Sequence, residues 1–494
     1  MNAPRYPMLI DGRQHEAAGN EWFDTFNPFT GKPWAQVARG TADDVDAAVQ
    51  SAHRAFTTGA WPALTASQRG LLLHKLGDLI AQNAERLAKL EVQDNGKLIA
   101  EMGGQLAYLP QWYYYFGGMA DKVQGAAIPL DKKGYFNYTR HEPLGVVGII
   151  TPWNSPLLIL GWKLAPALAA GCTVVIKPSE FASASTLEFA ALVEQAGFPA
   201  GVVNVVTGFG QEVGSALVEH PLVRKISFTG SDATGRHIGA HCARQLKRVS
   251  LELGGKSPNI VFADADLDDA LNGAVSGILA ATGQTCIAGS RLLLQRKIHD
   301  EFLDKLLKLA RTARMGDPAS PSTQVGPVTT LPQLDKILSY IEVAKADGAQ
   351  LLLGGARATR PECGEGWFVE PTVFAGVGNH MRIAQEEVFG PVLSVIPFDD
   401  EDEAIAIGND TRYGLGAGVW TSDIGRAIRM GSAIQAGTVW VNTYRAVSYM
   451  SPFGGYKDSG LGRENGIDAI HEYLQVKSVW LNVGAKTANP FVMR

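Results

Sequence analysis

Val146-Val-Gly-Ile-Ile-Thr151 opens a stretch, residues 146–231, in which short apolar runs alternate with helical patterns. Thr173-Val-Val-Ile-Lys177, Val202-Val-Asn-Val-Val-Thr207 and Lys225-Ile-Ser-Phe-Thr229 follow the first run. Helices are expected between them, through about Ala170, near 184–196 and near 211–219, with a last one near 231–245. Apolar β-branched runs alternating with helices predict parallel strands buried on both faces and joined by right-handed crossovers. The fold class is therefore α/β, an open sheet of the dinucleotide-binding kind.

Working outward, a further strand is expected over Arg248–Leu253, and a second α/β region after Gly254, with strands at Asn259–Phe262, Arg291–Gln295, Val392–Pro397 and Thr438–Asn442. Toward the N-terminus, Met8-Leu9-Ile10 runs into Asp11-Gly12, a hairpin signal. From Thr41 to about Asn95 the pattern is helical: Thr41-Ala-Asp-Asp44 outlines a capping box, and Leu71, Leu72, Leu76, Leu79 and Ile80 recur at helical spacing. The aromatic run Trp112–Phe116 continues a helix and reads as packing rather than ligand binding. Gly134–Arg140 and Lys477–Asn482 alternate, carry aromatics and read as edge strands. They suit pairing with another subunit, or each completes its own sheet.

At 494 residues the chain exceeds one ordinary core, and two or three domains are expected. Its net charge of −5, without a concentrated basic stripe, argues against nucleic acid and anionic membranes as partners. No segment offers the roughly 18 uninterrupted apolar residues of a membrane span, and the first residues lack the apolar core of a signal peptide. The four cysteines, Cys172, Cys242, Cys286 and Cys363, match no zinc spacing and are too few for a disulfide framework. A reducing, cytoplasmic setting is expected, with no metal. His237 and His241 have i, i+4 spacing but no metalloprotease pattern, and read as surface residues of a helix.

Cys286 is the cysteine placed to react. It lies in Gly283-Gln-Thr-Cys-Ile-Ala-Gly-Ser-Arg291, framed by small residues that leave its sulfur approachable. A free thiol with a pKa of about 8.5 is only a few per cent ionised at neutral pH, so an activating group is needed. Glu252, in Leu251-Glu-Leu-Gly-Gly-Lys-Ser-Pro258, is the candidate base. Asn154 follows the first strand in Pro152-Trp-Asn-Ser-Pro156, beyond a strand's carboxyl end, where ligands gather in such sheets. Its amide can donate to a developing oxyanion, a type of contact worth about 2.7–4 kcal/mol in the transition state.

Together these runs resemble the signatures of the aldehyde dehydrogenase superfamily, and the resemblance covers nearly the whole chain. It implies NAD-dependent oxidation of an aldehyde to a carboxylic acid, with NADP use open. The Cys286 thiolate attacks the carbonyl, the oxyanion rests on the Asn154 amide and the Cys286 backbone N–H, and loss of hydride to the nicotinamide leaves a thioester. Glu252 then activates the water that hydrolyses it. By position, Ile150 and Trp153 flank the cofactor; Lys177 and Glu180, in Lys-Pro-Ser-Glu, take the adenosine ribose. Gly230 and Ser231 take the pyrophosphate at a helix N-terminus, whereas Gly208–Gly214 misses Gly-x-Gly-x-x-Gly by one residue. Glu387 and Phe389, in Glu-Val-Phe-Gly-Pro, hold the nicotinamide ribose and ring.

Trp162 and Phe453 are implied to line the aldehyde channel, with Val447 and Tyr449 nearby. Arg445 either greets a carboxylate-bearing aldehyde or faces solvent. Leu279, Ala280 and Ser155 stand where relatives often carry aromatics, which predicts a wider pocket. The implied domains are a discontinuous NAD-binding unit (1–123 and 144–254), a catalytic unit (255–465) and an oligomerisation element (124–143 and 466–494) of a homodimer or homotetramer. Two other readings compete. One is a CoA-acylating semialdehyde dehydrogenase, which lacks the hydrolytic glutamate; the other is a catalytically silent structural member of the family.

Overall fold

The computed structural model describes residues 3–487 and 489–492, so the outermost ends of the expected domains (1, 2, 493 and 494) and residue 488 lie outside it. The alternating stretch forms the core of an eight-stranded sheet. Its order is Gly460–Leu461, Arg248–Glu252, Val223–Thr229, Val146–Ile150, Thr173–Lys177, Val203–Val205, Met8–Ile10 and Arg13–His15. The five central strands are mutually parallel, and the outer ones pair antiparallel. Read by chain position, the central five run 5-4-1-2-3, so the order reverses between Val146–Ile150 and Val223–Thr229. That reversal opens a crevice beyond the strand ends.

Local rules account for these elements. Asp11 and Gly12 both take positive φ (56° and 69°) and turn the Met8–Ile10/Arg13–His15 hairpin. The Thr41 backbone N–H donates to the Asp44 carboxylate at 2.8 Å, starting the helix Ala42–Thr57. The helix Pro156–Ala170 is buried along almost its whole length between sheet and neighbouring helices. The expected strand 202–207 shortens to Val203–Val205, and the expected helix near 211–219 begins with a wide turn at Gly210–Gly214. The strand expected to end at Leu253 ends at Glu252.

A second sheet of seven strands has the order Gln350–Leu353, Thr372–Ala375, Val392–Phe398, Arg291–Gln295, Pro258–Val261, Gly416–Trp420 and Thr438–Val441. Three of these strands, Gln350–Leu353, Thr372–Ala375 and Gly416–Trp420, carry no expectation from sequence. Gly416-Ala-Gly-Val-Trp420 reads poorly as a strand, yet it is fully buried. A Cβ on Gly418 would lie 2.5 Å from Asn259 Oδ1 and 2.6 Å from the Tyr444 ring, so glycine serves close packing there.

The two expected edge strands pair with each other. Leu474–Asn482 lies antiparallel to Tyr135–Pro143 over nine residues, and Ala127–Ile128 completes a three-stranded sheet. Neither strand joins one of the large sheets. Trp112, Tyr113 and Phe116 are fully buried in the helix Pro110–Met119, as the packing reading expects. No described helix is long and apolar enough to cross a membrane.

Candidate active site

The crevice at the order reversal is a cleft of about 1220 Å³. Ile150, Trp153, Lys177, Glu180, Gly230 and Ser231 all line it, so six expected cofactor residues from three strand ends share one cavity. Lys177 Nζ donates to Glu180 at 2.8 Å. Ser231 caps the helix Asp232–Arg244, its hydroxyl accepting from Thr234 N–H, so the helix dipole points its positive end into the cleft. Thr151 and Thr229 also line the cleft, and their buried hydroxyls have no hydrogen-bond partner. Unsatisfied hydroxyls, a lysine–carboxylate pair and a helix N-terminus suit a ligand with ribose hydroxyls and phosphates, and so fit NAD. His237 and His241, as expected, are surface groups, lying at the rim of this cleft.

Glu387 and Phe389 come from far along the chain to the same edge. The Phe389 ring meets Trp153 edge-on at 5.3 Å, with its backbone at φ 59° held by Gln333, which donates to the Val388 and Phe389 carbonyls. The Glu387 carboxylate accepts from Gly255 N–H at 3.0 Å. A Cβ on Gly254 would sit 2.5 Å from that carboxylate, and one on Gly255 would sit 2.5 Å from the Cys286 carbonyl oxygen. The glycine pair after Glu252 is therefore the plane on which Glu387 and the Cys286 backbone pack.

Asn154 completes the convergence. One of its two amide hydrogens is used on the Gln284 carbonyl, at 3.0 Å, two residues before Cys286; the second is free to serve another acceptor. Glu252 is 4% exposed, and neither carboxylate oxygen has a hydrogen-bond partner. A Cβ on Gly454 would lie 2.9 Å from Glu252, which places the carboxylate beside Phe453-Gly454. Burial raises the Glu252 carboxyl well above its usual range; nearby Glu464 adds to this, and Lys163 and Arg463 oppose it. Cys286 keeps part of its surface, yet burial pushes its thiol up to about 12, with Glu387 and Glu252 adding repulsion. Desolvation thus shifts both groups toward their protonated forms.

Trp162 and Phe453 meet at 5.0 Å, and Trp112 stacks on Trp162 at 6.0 Å. Tyr449 contacts Trp112, Tyr108 and Tyr115. The aromatic run read as packing therefore backs the same wall as the two expected channel residues. Arg445 is half-buried, with φ 66° and one long hydrogen bond to the Ser276 carbonyl.

Three buried charged side chains escape sequence reasoning. Lys163 and Glu464 form an ion pair, 0% and 4% exposed, and Glu464 is the charge that most strongly raises Glu252. A lone lysine in an apolar fifteen-residue helix was the available signal. Lys97 is buried beside Ser155, its Nζ donating to that hydroxyl at 2.8 Å.

The aldehyde dehydrogenase family profile matches residues 15–479. An Acinetobacter baylyi protein, (Z)-2-((N-methylformamido)methylene)-5-hydroxybutyrolactone dehydrogenase, is 48% identical over 99% of this chain and 100% of its own length. The NAD+ complex of a Bacillus cereus aldehyde dehydrogenase superposes with TM-score 0.95 at 45% identity, covering 97% of each chain. Betaine aldehyde dehydrogenase of Staphylococcus aureus, also with NAD+, superposes with TM-score 0.97 at 40% identity over 99% of this chain and 97% of its own. By this profile match and these likenesses, the chain belongs to the aldehyde dehydrogenase family.

Proposed function

We propose that Cys286 is the nucleophile with which this NAD-dependent aldehyde dehydrogenase converts an aldehyde to a carboxylic acid. The observation that carries this reading is the convergence of two sequence-distant segments, one at Asn154 and one at residues 252–255, on the backbone that carries the thiol. Asn154 binds the Gln284 carbonyl, the Gly254-Gly255 pair abuts the Cys286 carbonyl, and the Glu252 charge acts on the sulfur.

Because burial holds the thiol protonated, attack requires its proton to leave, and Glu252, whose charge bears on the sulfur, is assigned as the acceptor through a water. Its own raised value makes the ionised form scarce at neutral pH, so the reactive pair grows as pH rises. The sulfur adds to the aldehyde carbon, and the free Asn154 amide hydrogen with the Cys286 N–H receives the oxygen. NAD, when bound, supplies the hydride acceptor that leaves the acyl group as a thioester on Cys286. Glu252 releases the thiol proton to solvent and next takes a proton from water, whose oxygen attacks the thioester carbon; the C–S bond breaks, and that second proton returns to the thiolate. Ile150, Trp153, Lys177, Glu180, Gly230, Ser231, Glu387 and Phe389 are assigned to hold the cofactor, and Trp162 and Phe453 to wall the aldehyde.

A buried Glu252 without hydrogen-bond partners favours hydrolysis over transfer to CoA. Assay with CoA tests this: an acyl-CoA product in place of the free acid overturns the hydrolytic reading, and no NADH from any aldehyde in a broad panel revives the structural one. We assign the eight-stranded sheet to the NAD-binding unit and the seven-stranded sheet to the catalytic unit. The three-stranded sheet is the oligomerisation element. Its strand Leu474–Asn482 has one unpaired edge and exposes Val476 and Trp480. Trp480→Asp is expected to shift a homodimer or homotetramer toward smaller species in light scattering. Four free cysteines, three of them buried, support a reducing cytoplasmic setting.

A further inference from the structure

Two cations beside the Cys286 pocket take no part in the reaction just described. Lys97 is 4% exposed, and its ammonium has the neutral Ser155 hydroxyl as its hydrogen-bond partner. Ser155 follows Asn154, which is tied to Gln284, so Lys97 stands one short tether from the nucleophile. Arg445 comes from the segment after the strand Thr438–Val441. Tyr444 fastens that segment by donating from its hydroxyl to the carbonyl of Ile287, the residue after Cys286, at 2.9 Å. Trp440 ties it again through the Ala446 carbonyl at 2.8 Å. One cation is thus anchored to the segment before the sulfur and the other to the segment after it. Among the described residues neither makes an ion pair, in a chain where most other arginines near carboxylates do.

The acids near Lys97 offset this charge only in part. Glu101 spends one oxygen on Ala281 N–H at 2.6 Å. Glu91 accepts from Leu157 N–H and Ser185, and burial pushes it up to about 7, so it is only partly ionised at neutral pH. Burial pushes Lys97 down to about 8, with Glu101 opposing and Arg445 adding in the same direction. A buried ammonium held by a hydroxyl rather than by an ion pair is costly, and an incoming anion relieves that cost at Lys97 while also meeting Arg445. Arg445 meanwhile keeps a left-handed backbone that favours glycine, strain of the kind found where function fixes a side chain.

We infer that the substrate is an aldehyde that also carries a carboxylate, received by Lys97 and Arg445 while its carbonyl meets Cys286. The inference rests on the Cys286 reading above. The aromatic wall of Trp162 and Phe453 then holds the apolar body between the two functional groups.

The test uses the full chain with NAD and three aldehydes of matched length: one ending in a carboxylate, its uncharged methyl ester, and one ending in trimethylammonium. The carboxylate form is expected to exceed the ester in kcat/KM by at least tenfold, about 1.4 kcal/mol. Lys97→Met and Arg445→Gln are each expected to lower that ratio about tenfold. The ratio is internally normalised, so a poorly folded variant lowers both terms and leaves it unchanged. Equal turnover of ester and carboxylate by the parent enzyme, a preference for trimethylammonium, or a ratio that neither variant moves overturns the inference. In each of those cases NADH still forms, and the Cys286 reading stands. No NADH from any of the three, or from a broad aldehyde panel, overturns that reading and the inference with it.

Discussion

The cleft beyond Ile150 and Ser231 and the pocket around Cys286 adjoin each other, yet they handle charge in opposite ways. In the cleft, charge is paired and partly solvated: Lys177 meets Glu180 at 2.8 Å, and Glu180 keeps about a quarter of its surface. In the pocket it is buried and unpaired. Both Glu252 oxygens lack partners, the Cys286 thiol is pushed far above its ordinary value, and Lys97 has only a serine hydroxyl. Binding a dinucleotide asks for ready, hydrated donors and acceptors. Covalent chemistry asks for groups whose protonation is poised, and desolvation is the means of poising them.

If that contrast is right, damage in the pocket removes chemistry and spares the cofactor, while damage in the cleft does the reverse. Cys286→Ala is expected to have the largest effect, a loss of at least about 10⁴-fold in turnover, with NAD binding by fluorescence quenching preserved. Persistent NAD-linked oxidation by this variant would falsify the assignment of the nucleophile. Next is Glu252→Gln. Steady-state turnover is expected to fall about 10³-fold, and the pre-steady-state burst of NADH slows with it, because the same carboxylate takes the thiol proton. Because Glu252 lies above its usual range, its ionised form gains with pH, so parent kcat rises from pH 6 upward. The variant is expected to lack that rise; a variant profile that parallels the parent's sinks the role.

Glu91→Gln sharpens the contrast through stability. The folded carboxyl sits at about 7, against an unfolded value of about 4.3. The folded state therefore keeps a proton that the unfolded state loses, and the stability it carries falls as pH rises from about 4.3 to 7. Removing the titration is expected to flatten denaturation midpoints between pH 5 and 7, by up to about 2–3 kcal/mol. An unchanged slope means this carboxyl is already ionised in the fold. The smallest effect is expected in the cleft: Glu180→Gln raises the Kd for NAD about tenfold, or about 1.4 kcal/mol, with kcat nearly constant and the penalty against NADP reduced. A fall in kcat without a change in Kd contradicts the division between the two regions.

Legibility followed the same divide. The cleft residues sit at strand ends, and strand ends are set by local pattern: the run through Ile150, the Lys177-Pro-Ser-Glu180 turn and the cap at Ser231 were all readable from neighbouring residues. The pocket was readable only where motifs repeat across a family, at Asn154, Glu252, Cys286, Glu387 and Phe453. Lys97, Glu464 and Trp112 carry no local signature, because burial of a charge or a ring beside a distant thiol depends on how helices and sheets stack. The strand Gly416–Trp420 escaped for a related reason, since its glycines answer to Asn259, Tyr444 and Trp440 rather than to strand propensity. Leu474–Asn482 was legible as a strand but not its partner, since period-two alternation names a face and never the strand across from it.

By itself, the order of residues determined an open parallel sheet, a reactive cysteine in a small-residue frame, and the donors that meet a dinucleotide, because each follows from short-range periodicity and turn chemistry. Tertiary structure alone decided that burial shifts Cys286 and Glu252 upward, that Glu464 and Lys163 stand behind the acid, and that two cations lie near the thiol. Those properties come from desolvation and through-space charge, which exist only once segments hundreds of residues apart exclude water from the same few ångströms.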